Sequence, residues 1–170
     1  MGLIKHIYKW FHPGIAEDKI PLRYNISLWK AAMKMPRKWM SAVVIPTIPF
    51  NNVRVFLYKL CGYKIGEHTF IGMRCYLDDL CYDKMEIGSH VTISYGVYFA
   101  CHGRKQNHNR IVIKDGAYIG MRASIIAPKG DVVIGERAIV GAQTLVNASV
   151  PDKRYAVGIP SRILDKLVDD

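Results

Sequence analysis

Few side chains in this chain can move a proton at neutral pH, and His102 is the one whose setting singles it out. It lies in Phe99-Ala100-Cys101-His102-Gly103-Arg104-Lys105-Gln106-Asn107-His108-Asn109-Arg110, with a second histidine, His108, six residues on. A neutral imidazole, with an ordinary pKa of about 6.5, is suited to take a proton from a hydroxyl as that hydroxyl attacks an acyl carbon. Cys101 next to His102 suggests a thiol–imidazole pair. Adjacent residues of an extended chain point to opposite sides, however, and the pairing is geometrically poor. The four cysteines (Cys61, Cys75, Cys81, Cys101) form no CxxC pair and have no histidine at finger spacing, so they read as small buried hydrophobes and no metal is expected. Asp78 and Asp79, in Tyr76-Leu77-Asp78-Asp79, read as exposed turn residues.

The elements that must position these groups follow from a six-residue period. An aliphatic or aromatic residue recurs as Ile65, Ile71, Leu77, then Ile87, Ile93, Phe99, then Ile113, Ile119, Ile125, then Ile134, Val140, Val146. Four positions after most of these stands a small or β-branched residue: Thr69, Cys75, Cys81, Val91, Val97, Ala117, Ala123, Ala138, Thr144, Val150. Such a period describes a coil with three flat faces. The aliphatic residue fills the interior, the small one fits beside it, and the glycine that often follows the aliphatic accepts the tight turn. Twelve hexapeptides at three per coil give about four coils. A helix needs apolar spacings of three and four, and a β-sandwich needs turn signals every 8–12 residues; neither describes the segment. His68 and His90 fall at outward, solvated positions. His102 falls where the repeat breaks.

Ahead of the repeat the chain is basic and helical. Residues 1–64 carry eleven Lys and Arg against Glu17 and Asp18, whereas residues 65–170 carry thirteen against twelve acids. The charges alternate with Leu3, Ile4, Ile7, Tyr8, Trp10 and Phe11, which suits a membrane surface better than nucleic acid, and no nucleic-acid partner is expected; a solvated helical cap whose charges serve solubility is the other reading. The longest apolar run, Trp39 to Phe50, is interrupted by Pro46 and Pro49 and is too short to cross a bilayer, which takes about 20 residues. No signal-peptide pattern opens the chain, and a cytoplasmic location, at the inner membrane face, is expected. Residues 1–12 and 26–40 read as helices. Residues 51–61 read as a short amphipathic helix, capped by Asn51 or Asn52 and ended by Gly62, that closes the open end of the first coil.

The hexapeptides, followed by Val150-Pro151-Asp152 and Gly158-Ile159-Pro160-Ser161-Arg162-Ile163, resemble the left-handed parallel β-helix acyltransferases over residues 62–166. The resemblance implies a mostly β fold. Its parts are a helical segment 1–62, the hexapeptide β-helix 63–151 with a catalytic loop 101–110, and a tail 152–170 that completes a coenzyme A site. It implies a homotrimer, acetyl-CoA as acyl donor, active sites between subunits, and a catalytic histidine at the start of a loop, which matches His102. The acidic residue that often follows that histidine is Gly103 here, so a backbone carbonyl is the expected group to orient the ring. The positions matching the donor groove are Gly120, Met121, Gly141, Ala142, Asn147, Ala148 and Arg162, with Lys166 as a further phosphate ligand; a backbone N–H near Gly120 and Met121 would hold the oxyanion. Asp79 and His108 are the acceptor candidates. Asp79 stands where serine acetyltransferases have a histidine, which argues for a sugar or surface-polysaccharide hydroxyl over serine. Three other readings stay open: N-acetylation of an amino sugar or antibiotic, a zinc enzyme resembling the γ-carbonic anhydrases, and a trimeric scaffold without activity. The zinc enzyme needs three histidine ligands, where this chain offers two near one another.

Overall fold

The structure is a computed structural model that describes residues 3–14, 16, 35–103 and 108–164. The chain forms two compact units, residues 1–39 and 40–170. In the first, α1 (Leu3–Phe11) leaves Ile7, Trp10 and Phe11 exposed and is followed by a turn at His12-Pro13-Gly14. Of the helix expected over 26–40, residues 35–39 are helical and 26–34 lie outside the described residues.

The second unit opens with a π-helical turn (Met40–Val44), a 3-10 turn (Ile45–Thr47) and α2 (Asn51–Leu60). Gly62, at φ +98°, takes the left-handed conformation that ends α2, as expected. The cap at its start differs from expectation. Phe50 occupies that position, and no side chain bonds the helix N-terminus. The Asn51 amide is turned instead to the first coil: it donates to the Thr69 carbonyl (3.1 Å) and accepts from the Ile71 N–H (2.9 Å). Arg54 Nε donates to the Ile71 carbonyl at 2.9 Å. An edge strand exposes unpaired backbone groups, and here two side chains take the place of a preceding coil. Arg54 is 2% exposed, and its burial pulls the guanidinium pKa below its ordinary value.

Beyond α2 the chain winds as a parallel β-helix. The first face is β1 (Lys64–Ile65), β3 (Met85–Ile87), β6 (Ile111–Ile113) and β9 (Val132–Ile134). The second is β2 (Phe70–Ile71), β4 (Thr92–Ile93), β7 (Tyr118–Ile119), β10 (Ile139–Val140) and β12 (Tyr155–Val157), closed by the antiparallel β13 (Arg162–Leu164). The third is β5 (Tyr98–Ala100), β8 (Ser124–Ile126) and β11 (Leu145–Val146), which Tyr76 extends by a single bridge to Tyr98. Equivalent residues stack in register, so that Ile71 pairs with Ile93, Ile93 with Ile119, and Ile119 with Val140. The interior aliphatics and the small residues four positions later are buried throughout. Each buried aliphatic contributes about 1.5–3 kcal/mol relative to exposure, and this stack is the core.

The glycines after the aliphatics have a different cause from the one expected. A Cβ on Gly66 would lie 2.4 Å from the Gly88 carbonyl carbon, and one on Gly120 would lie 2.5 Å from the Ala142 nitrogen. These residues are glycine because the next coil leaves no room. The left-handed turn residue lies two positions later, at His68, Arg74, His90, Arg122, Arg137 and Gln143, and Lys153 takes the same conformation after Pro151. Non-glycine residues accept this conformation at about 1 kcal/mol each, and the stacking of the coils offsets it.

Candidate active site

The residues added to the repeat all link the third face to the first. They are residues 81–84, which contain a 3-10 turn at Tyr82–Lys84, then residues 101–110 and residues 127–131. Insertions in three successive coils therefore gather on one edge of the prism, and His102 stands on it.

Asp78 organises this edge. It is fully buried, not the exposed turn residue expected, because its carboxylate binds loop backbone. Oδ1 accepts from the Leu80 N–H at 3.0 Å and Oδ2 from the Cys101 N–H at 2.8 Å. A carboxylate of the first coil thus fixes the chain where the second coil leaves the ladder. His102 Nε2 lies 3.7 Å from the same Oδ2, with the imidazole 28% exposed and the carboxylate 1%. The group beside the imidazole is therefore an acid one coil away in the chain. No backbone carbonyl is found in hydrogen-bond contact with the ring among the described residues.

Two further contacts hold the loop. Asn109 N–H donates to the Cys101 carbonyl at 2.7 Å, and its side chain donates to the Ala127 carbonyl at 2.7 Å. A Cβ on Gly103 would lie 2.7 Å from Pro128 Cα, so the third coil requires glycine directly after His102. His108 comes back to the same place, with its ring centroid 6.5 Å from that of His102. Its Nδ1 shares a hydrogen bond with the Cys81 thiol, and its carbonyl accepts from the Lys84 ammonium. Asp79 is also buried, again not an exposed turn residue, and accepts from the Tyr76 hydroxyl; the Tyr76 ring stacks on Tyr98 at 4.7 Å.

The thiols of this edge are poor nucleophiles. Burial, reinforced by the Asp78 charge, pushes Cys81 up to about 11 and Cys101 higher still. His68 and His90, stacked at 5.1 Å and exposed, lie on the edge between the first and second faces, away from His102. Among the described residues, no three His, Cys, Asp or Glu side chains are grouped to hold a metal ion.

The donor-groove positions divide between two edges. Asn147 and Ala148 follow β11, on the same edge as His102 and two coils along it. Gly120, Met121, Gly141 and Ala142 join the second face to the third, on a different edge, and Arg162 lies exposed on β13. Lys166 and loop residues 104–107 lie outside the described residues.

No catalogued protein-family profile matches the chain. Among curated proteins, it is 35% identical over 109 residues to the bifunctional protein GlmU of Rubrobacter xylanophilus and 34% identical over 105 residues to the serine acetyltransferase of Bacillus subtilis. Each match takes in 61% of this chain, but only 22% and 45% of those longer proteins. YvoF of Bacillus subtilis, a protein with a provisional acetyltransferase assignment, is 26% identical over 156 residues, covering 86% of this chain and 89% of its own length. Among solved structures, a hexapeptide-repeat acetyltransferase from Vibrio cholerae superposes with a TM-score of 0.67 at 25% identity, over 85% of this chain and 96% of that one. The same protein in complex with acetyl coenzyme A gives 0.66 at 26% identity, over 85% and 92% of the two chains. The six-residue period, the stacked faces and these relatives agree along the β-helix, where the chain is similar to the hexapeptide-repeat acetyltransferases.

Proposed function

We propose that the protein transfers an acetyl group from acetyl-CoA to a hydroxyl of a sugar or surface-polysaccharide precursor on the cytoplasmic side of a membrane, with His102 as general base. The observation that carries this reading is the partly exposed His102 imidazole, held at a loop mouth beside the buried Asp78 carboxylate. The acceptor hydroxyl gives its proton to the imidazole as its oxygen attacks the thioester carbon. The tetrahedral adduct then collapses, the carbon–sulfur bond breaks, and the departing CoA sulfur takes that proton. Asp78 lies where positive charge develops on the ring and stabilises it there. His108 lies near the imidazole, and it and Asp79 serve the acceptor side.

On this reading Gly120, Met121, Ala142, Asn147, Ala148, Arg162 and Lys166 bind the donor, and an N–H near Gly120 and Met121 faces the oxyanion. Residues on the second-to-third edge cannot meet His102 of the same chain, since a whole face of the prism separates them. A neighbouring copy can supply them, and this supports a homotrimer with shared sites.

The test is acetyl transfer by the purified full chain with carbohydrate acceptors, following thiol release. His102→Asn should lower kcat by about 10²–10⁴-fold, while acetyl-CoA still raises the melting temperature of the variant. A variant of undiminished rate would remove His102 from the mechanism. A product stable to mild base would be an amide and would move the acceptor to an amine. Acetylation of serine with no carbohydrate turnover would overturn the acceptor class.

A further inference from the structure

The first unit carries a feature that acetyl transfer does not use. In α1, at 100° per residue, Ile7, Tyr8, Trp10 and Phe11 share an arc of about 160°, with His6 and Lys9 outside it. Ile7 is 48% exposed, Trp10 77% and Phe11 67%, with the two aromatic rings edge to face at 4.9 Å. Large aromatic surfaces left in water on one side of a short helix are costly unless something covers them. Charge indicates the occupant. Lys5 and Lys9 fall in this segment, no acid occurs before Glu17, and the chain up to residue 64 has eleven basic residues against two acids.

We infer that α1 is a membrane-surface anchor, lying in the plane of an anionic bilayer with Ile7, Trp10 and Phe11 in the acyl boundary and its lysines among the lipid phosphates. Nine residues make a rod of about 13 Å, too short to cross a hydrocarbon layer of about 30 Å. Among the described residues no helix is long and apolar enough to span a bilayer. Tryptophan and phenylalanine beside lysine are the side chains that the lipid–water interface accommodates, with the ring in the apolar layer and the ammonium at the headgroups. Each lysine near an anionic surface adds about 1 kcal/mol, an attraction that salt screens. The inference concerns location and holds whether or not the acetyl-transfer reading does.

Sedimentation of the full chain with vesicles tests it, using phosphatidylcholine alone and phosphatidylcholine mixed with phosphatidylglycerol. Binding should require the anionic lipid and weaken as salt is raised. Trp10→Ser with Phe11→Ser should reduce partitioning by on the order of 100-fold, and Lys5→Glu with Lys9→Glu should remove the preference for anionic lipid. Neither pair should alter thermal unfolding of the β-helix or acetyl transfer to a soluble acceptor. Absence of binding to anionic vesicles, or binding unchanged by the aromatic pair, overturns the proposal. So does a lower melting temperature of the aromatic variant, which would show that this face packs on its own chain, or binding to RNA in place of vesicles.

Discussion

Along the second face, Phe70, Thr92, Tyr118, Ile139 and Tyr155 point outward while Ile71, Ile93, Ile119, Val140 and Ala156 point inward, coil after coil. Along the edge after the third face, no two coils are alike: one adds a short turn, the next a loop of about ten residues, the third a brief bend. Beyond its first strand, where Asn51 binds the Ile71 N–H, the face uses its backbone N–H groups in the ladder. The edge breaks the ladder, and the Leu80 and Cys101 N–H groups it frees hold the Asp78 carboxylate. Regular stacking supplies rigidity. Interruption supplies donors aimed at one polar group, and a site needs both.

Substitutions can set the two regions against each other. Replacing Ile119, wholly buried in the second face, with alanine should cost about 2–5 kcal/mol by lost transfer energy and the cavity left behind. Denaturant titration measures this, and kcat of the folded fraction should hold. Asp78→Asn should act on both scales. One donor, Leu80 or Cys101, then faces an amide NH₂, for a loss of about 1–3 kcal/mol. In addition kcat should fall while KM for acetyl-CoA stays put; a purely structural role would lower the melting temperature and leave kcat of the folded fraction alone. The smallest effect concerns the thiols. At neutral pH an alkylating reagent should reach the half-exposed Cys61 well before buried Cys75, Cys81 and Cys101, as mass spectrometry of the modified peptides would show. Because burial raises Cys81 to about 11, its contribution to stability is full below the ordinary thiol value and is lost as pH climbs toward 11.

The stacking was legible in the sequence because each interior position repeats one local demand: Ile65, Ile71 and Leu77 recur as Ile87, Ile93 and Phe99, and all are buried. His102 was legible as the residue at which that demand stops. The Asp78–His102 proximity was not. The two are separated by a full coil and the insertion at residues 81–84, and only the register of stacking brings them to 3.7 Å. Asn51 misled for a related reason. As the first residue of a helix it has the composition of a cap, and nothing local reveals that its amide completes a sheet edge. The glycines misled because the same residue type answers to a turn or to a close neighbour, and the neighbour is one coil away.

Asp78 belongs to the first coil and His102 leaves the second, so the acid and the proposed base bridge a junction between repeats. Repeat proteins change length readily by gaining or losing whole units. In this chain an added coil of about 18 residues after the fourth coil would leave the pair untouched. The same unit inserted between the first two would part acid from imidazole by about one strand spacing, near 4.8 Å. On the proposed mechanism, growth of the solenoid is therefore permitted toward its C-terminal end and barred at one seam.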